Sequence, residues 1–295
     1  AAAPAPRPID LDGRRLSIES VLDIALHRRP VRLSKAALKR VQLSADFLAK
    51  ELKRGEPIYG VTTGFGSNAD RLLENVRRRE REGAEDLPIV AELQRNLIIS
   101  HAVCVGDPLP LPMVRAMLAI RINTLLQGHS GVRVVTLERL RDLLRLDLIP
   151  VVPEKGSVGA SGDLAPLSHL ALAVIGEGEV FEHGERVPAA DALARAGLKP
   201  LTLSFKEGLA LNNGTGQMLA SAILALGRLT ELSRQADINA VLRQRGQHLR
   251  ARRSRPEDHA QGRGAGRGVP NGRRRRCRRH GLLPRQPHRL DASDR

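Results

Sequence analysis

The chain has 295 residues, 41 % of them hydrophobic, with a formal net charge of +16, which is length and apolar content enough for one large globular domain or two ordinary ones. No apolar run approaches the about 18 residues of a membrane helix, and the opening AAAPAPRPIDLDG lacks the apolar core of a signal peptide. A soluble, cytoplasmic protein is therefore expected; the two cysteines, Cys104 and Cys277, suit neither a disulfide framework nor a metal cluster and read as reduced thiols.

Residues 1–13 read as a flexible N-terminus, followed by a body over 14–240 and a tail over 241–295. From Ser34, a candidate N-cap, the segment SKAALKRVQLSADFLAKELKRG places Leu38, Val41, Ala45, Leu48 and Leu52 at helical spacing and stops at Gly55. Further helices are predicted over about 91–103, to Gly128 through VRAMLAIRINTLLQG, and from near Thr136 through TLERLRDLLRL. LAPLSHLALAVIGEG reads as a helix with Pro166 in its first turn, and GQMLASAILALGRLTELSRQADINAVL as a long buried one. The one clear strand signal is EVFEHGERVP, residues 179–188, with His183-Gly184 suited to a hairpin turn. The fold class is therefore mainly α with short β additions, without internal repeats or a low-complexity linker inside the body.

The tail is different in kind. It carries seventeen Arg, no Lys and four acids, thirteen of the sixteen net charges, and has no Ile, Phe, Tyr, Trp, Met or Thr. It cannot supply a core. Three readings stay open: residues that GC-rich codons supply when a frame is shifted, a solvated disordered tail, and an arginine-rich arm for phosphate backbones. The abrupt change near Ala240 to Arg243, which breaks a promising helix, favours the first, and nucleic acid is not the expected partner.

The loops hold the unusual chemistry. In YGVTTGFGSN, residues 59–68, GFGSNA fits a G-x-G-x-x-A dinucleotide fingerprint, but no apolar helix opens behind it and PIYGVTT is a poor buried strand. Tyr59 is the only tyrosine of the chain; it is either a core-edge residue with a wet hydroxyl or an acid or base with a lowered pKa. The stretch GSVGASGDLAP, residues 156–166, packs minimal side chains together mid-chain, as a linker or a sharply bent functional loop would. No Cys/His cluster has metal-ligand spacing, so no metal is expected.

Taken together, GSVGASGDLAPLSH, YGVTTGFGSNAD, LQRNLIISHAVCVGDPL, RINTLLQGHSGVR and FKEGLALNNGTGQM resemble, in order, the landmarks of the aromatic amino-acid ammonia-lyases and aminomutases, over about residues 14–240. The resemblance implies the N-terminal part of a helical-bundle lyase fold. It also implies that Ala160-Ser161-Gly162 cyclises autocatalytically, with loss of water, into a methylidene-imidazolone, so that no external cofactor is needed. The amide nitrogen of Gly162 must then reach the Ala160 carbonyl, a contact that glycine permits, while Ser161 gives up its hydroxyl and becomes the methylidene.

By the same resemblance the reaction is elimination of ammonia from an aromatic L-amino acid. Tyr59 removes the β-proton and Asn213 hydrogen-bonds near the prosthetic group and the substrate amine. Ser100 and His101 line the pocket for the substrate side chain; histidine lyases carry a Ser-His pair, so L-histidine is the expected substrate, with a tyrosine or phenylalanine lyase or aminomutase as the alternative. Asn212 departs from the aliphatic residue usual in the family. Asp163 and Lys155 flank the triplet as candidates for polarising it, whereas His129 and Arg133 read as packing groups and His169 as a histidine satisfied within its helix. The family's enzymes are homotetramers whose sites draw on several chains and on a second, helical half. The 295 residues by themselves are accordingly expected to be poorly soluble or inactive, as a truncated or frameshifted relative or a pseudoenzyme scaffold would be.

Overall fold

The computed structural model describes residues 6–54, 58–61, 63 and 88–253, with the backbone alone at 88, 89, 246 and 248–253. Strand β1 (Ile9–Leu11) runs through helix α1 (Ile18–His27) into β2 (Val31–Leu33), which pairs with it in parallel. The pairing is locked by Arg32, whose Nε and Nη2 donate to the carboxylate of Asp10 directly opposite, at 2.6 and 2.7 Å. Residues 9–11 are thus an ordered strand rather than a flexible terminus. Alternating residues gave too short a signal to announce it, and only pairing with β2 makes three residues a strand.

Helix α2 (Lys35–Lys53) follows the expected bounds, starting after Ser34, whose side chain makes no cap bond. It buries Ala37, Val41 and Leu52, with Leu38 packed against the same core. Helix α3 (Pro88–His101) leads to β3 (Val105–Pro108), which pairs antiparallel with β5 (Pro153–Lys155). The centre of the body is α4 (Leu111–Leu125), enclosed along Val114–Ile122 and packed against α1 and α5 (Val134–Arg145). Because α4 is surrounded, its apolar residues do not confine themselves to one stripe, and even Arg115 and Arg121 are drawn inside.

Strand β4 (Ile149–Pro150) joins a hairpin of β6 (Glu179–Glu182) and β7 (Glu185–Pro188). His183 and Gly184 both have positive φ, 53° and 92°, the condition for a two-residue type I′ turn. Between β5 and β6 lies α6 (Leu164–Val174), and short helices α7 (Ala189–Arg195) and α8 (Glu207–Asn212) lead to α9 (Gly216–Arg253). The chain is thus mainly helical with short strands, as its sequence predicts. Among the described residues no helix is long and apolar enough to cross a membrane.

Two expectations for the C-terminal part are corrected. Helix α9 continues through Val241 to Arg253 instead of breaking near Ala240, so 241–253 is not a disordered tail; Val, Leu, Arg and Gln extend a helix at little cost and no proline intervenes before Pro256. Nor is α9 buried along its length. After Ile223 it has no buried residue among those described, and Leu229, Leu232 and Leu242 stand about 60 % exposed. The chain divides into two units, 1–240 and 241–295; residues 254–295, including Cys277, lie outside the described residues.

The body is tied internally by one buried anion. Glu207, 0 % exposed, accepts hydrogen bonds from the Arg133 backbone and side chain, from Thr136 Oγ1 at 2.6 Å and from the Ser204 amide at 2.8 Å. Arg133 is therefore a packing group, as expected. Replacing Glu207 by Ala strands these donors and is expected to cost about 3–5 kcal/mol, measured by urea unfolding.

Candidate active site

The triplet Ala160-Ser161-Gly162 lies in a loop between β5 and α6, with Ala160 and Ser161 exposed and Gly162 buried. The backbone bends hard there: φ is 71° at Gly159, 58° at Ser161 and 102° at Gly162. For a serine, the left-handed region costs about 1–2 kcal/mol, and it persists only where the surroundings impose it. They do so through Gly162, whose peptide packs so tightly on the backbone of Gly214 that any Cβ at 162 would collide with the Gly214 carbonyl. This cradle, with glycine at 162, an exposed serine at 161 and left-handed φ at both, fits the residue types that the methylidene-imidazolone requires.

Asp163 is what holds the bend. Fully buried, it donates its backbone N–H to the Gly214 carbonyl at 2.7 Å, and its Oδ1 accepts from Ser157 Oγ at 2.8 Å. Its Oδ2 accepts from the amides of Gln217 and Met218, both at 2.9 Å. A carboxylate at the first amides of α9 satisfies orphan donors and meets the positive end of the helix dipole. Asp163 thus caps α9 across space rather than its own helix α6. The sequence places it beside the triplet as a polarising group; its anchoring role becomes visible only with Gly214 and α9 in place. Lys155, exposed and paired with Glu154 at 3.0 Å, is a solvated residue.

Asn213 follows α8 and is exposed, one residue before Gly214, so the Asp163–Gly214 bond brings it to the triplet loop. Helix α8 is placed by Glu207 at its start, by Gln94 of α3, whose Oε1 accepts from the Gly208 amide at 2.9 Å, and by Arg121 of α4, which donates to the Ala210 carbonyl. Burial lowers the Arg121 pKa to about 10, leaving it charged near neutrality behind Gly214. Gln94, Arg121 and Glu207 were not singled out by sequence reasoning; polar residues in apolar helical runs were their only signal. Asn212 is fully buried, and its Nδ2 donates to Ser168 Oγ at 3.2 Å.

Ser100 and His101 end α3. The Ser100 hydroxyl donates to the Leu97 carbonyl at 3.0 Å, and His101 Nδ1 lies 2.9 Å from the same oxygen. A carbonyl only accepts, so Nδ1 carries the proton and, in the neutral ring, Nε2 keeps a free lone pair. Three residues on, Cys104 packs against Gly156 at the start of the triplet loop and donates its amide to His169 Nε2 of α6 at 3.1 Å. His169 therefore bridges to the β3 strand rather than satisfying its own helix, and burial holds its pKa below the usual value. The thiol of Cys104 is pushed up by burial.

Tyr59 stands in the turn Ile58–Val61, 51 % exposed, with Val61 and Thr63 buried beside it. Gly214, next to Asn213, meets the triplet loop at Gly162 and Asp163, and Cys104, three residues past His101, meets it at Gly156. The glycine-rich remainder of the Tyr59 motif, residues 64–68, lies outside the described residues, as does Thr62. Exposed His129 makes no part of this contact chain.

The aromatic amino acid lyase family model matches residues 16–260. A histidine ammonia-lyase of Stigmatella aurantiaca is 47 % identical over 234 residues, 79 % of this chain and 44 % of that protein. One of Chloroflexus aurantiacus is 48 % identical over 240 residues, 80 % of this chain and 43 % of that protein. Among solved structures, a tyrosine aminomutase of Streptomyces globisporus superposes with a TM-score of 0.71 at 40 % identity, over 79 % of this chain and 41 % of its own. A histidine ammonia-lyase of Trypanosoma cruzi gives 0.68 at 33 %, over 79 % and 42 %. The chain spans less than half the length of the curated relatives it matches.

Two substitutions probe the bend. Asp163→Ala removes the cap of α9 and the Ser157 anchor and is expected to lower stability by about 2–4 kcal/mol in urea unfolding. Gly162→Ala, a mere methyl, should destabilise by at least about 1 kcal/mol, because it adds a backbone clash to an unfavourable φ.

Proposed function

The chain belongs to the aromatic amino acid lyase family, and from that premise we propose that it carries the prosthetic-group half of an ammonia-lyase that converts L-histidine to urocanate and ammonia. The observation that carries this reading is the left-handed bend at Ser161-Gly162, wedged on Gly214 and anchored by buried Asp163. Ala160, Ser161 and Gly162 would form the methylidene-imidazolone, which supplies an electrophile for the substrate's amino group.

The chain's own residues supply the rest. Tyr59 takes the β-proton, making Cβ electron-rich as the C–N bond breaks and ammonia leaves. Asn213, delivered to the triplet by Gly214, orients the amine. The free lone pair of His101 Nε2 accepts from the N–H of an imidazole side chain, and Ser100 holds the His101 ring in that tautomer. Histidine is favoured over tyrosine by the Ser100-His101 pair and by the histidine ammonia-lyases among the relatives. A phenol could also donate to Nε2, and the likeness to a tyrosine aminomutase makes β-tyrosine formation the second reading. The enzyme is proposed to work in the cytoplasm as a homotetramer, the assembly in which the exposed apolar residues of α9 would be covered.

Intact-mass analysis should find the peptide containing residues 160–162 lighter by two water molecules, and Ser161→Ala should retain them both. An unmodified wild-type triplet would sink the proposal independently of any assay. In the assembled enzyme, Ser161→Ala is expected to abolish ammonia release from L-histidine. His101→Leu should cost about 100-fold in kcat/KM for histidine and much less for phenylalanine; an equal loss on all substrates would refute the role given to His101.

A further inference from the structure

Away from the triplet, a small cavity of about 70 Å³ opens between α1, β2, α4 and α5. That is roughly the space of two waters and far below an organic-ligand pocket. Four of its lining residues are arginines, Arg28, Arg29, Arg115 and Arg145, on an apolar floor that includes Ile24 and Leu144, and no carboxylate lines it. We propose that this cavity is a binding site for a tetrahedral oxyanion, inorganic phosphate or the phosphate of a small monoester.

The charges around it do not balance. Arg28 and Arg115 share the single carboxylate of Asp147, Arg28 at 3.0 Å. Arg29 pairs with Asp23 at 2.6 Å, and Arg145, at 3.4 Å, competes with Arg141, at 2.8 Å, for Asp142. Four guanidiniums thus line the cavity, and the three carboxylates that pair with them, Asp23, Asp142 and Asp147, lie outside its lining, so hydrogen-bond donors rather than acceptors border the concavity. Arg115 is almost entirely buried, its side chain 4 % exposed. Desolvation, and after it the charge of Arg28, lowers its pKa to about 10.

The backbone is committed to this arrangement as well. Both α1 and α5 are followed by a left-handed residue, and neither is a glycine: Arg28 has φ 52° and Asp147 φ 58°. Glycine would serve those positions without strain. The strained pair instead forms the Arg28–Asp147 bridge. Guanidiniums carried by the α1–β2 connection, α4 and α5 line one concavity and have the forked donors that phosphate oxygens accept.

The test is calorimetric titration of the protein with inorganic phosphate and with glycerol 2-phosphate, against sodium chloride at matched ionic strength. The comparison is with the double variant Arg28→Gln/Arg145→Gln. Both side chains are more than half exposed, so the fold tolerates their loss, and the arginine-rich segment beyond residue 253 is common to both proteins. Saturable binding of one of the phosphates that weakens at least about tenfold in the variant is expected. Preference for inorganic phosphate identifies the free anion, and preference for glycerol 2-phosphate a monoester. Equal binding by parent and variant, or no heat beyond that of chloride, overturns the proposal.

Discussion

The buried carboxylate of Asp163 is the joint on which the candidate site depends. Its backbone N–H reaches Gly214, one of its oxygens reaches Ser157, and the other takes the amides of Gln217 and Met218 in the first turn of α9. An unpaired buried carboxylate would be costly, but three hydrogen bonds and a helix dipole offset its desolvation. Two segments far apart in the chain, residues 157–163 and 214–218, are thereby fixed to one point, and the bend at Ser161-Gly162 is the shape the loop takes where they meet. A reactive backbone needs such external holding, because left-handed serine is not a conformation that a loop keeps by itself.

Buried polar side chains hold the partner of that joint. Helix α8 has only six residues, too few to be stable alone. Its own Glu207 is held from α5 by Thr136, its Gly208 amide by Gln94 of α3 and its Ala210 carbonyl by Arg121 of α4. Each is expensive to bury and each is engaged by donors or acceptors from a neighbouring helix. What this achieves is the position of Asn213 and Gly214 relative to the triplet. Gln94 also belongs to α3, the helix that ends in Ser100-His101, so the segments read as substrate-recognising and amine-orienting share a support.

The apolar surface of α9 contrasts with this closed interior. Leucines at 226, 229, 232 and 242 stand exposed on the described helix, an arrangement that fits an element made to pack against further helices. The basic cavity beneath α1 is of the opposite kind: it is enclosed, charged and remote from the triplet loop in the chain.

By itself, the sequence determined the helical character of the body, the bounds of α2, α6 and the 179–188 hairpin, and, through five ordered motifs, the family and the triplet at its centre. These follow from local periodicity, turn chemistry and near-literal motif identity, which a linear reading can detect. Tertiary structure alone decided that residues 9–11 form a strand, that α9 runs to Arg253 with most of its length exposed, that His169 serves the Cys104 amide, and that Asp163 caps a helix more than fifty residues away. Burial, cross-chain hydrogen bonding and the meeting of buried charges depend on which segments become neighbours in space, and spacing along the chain carries no record of that.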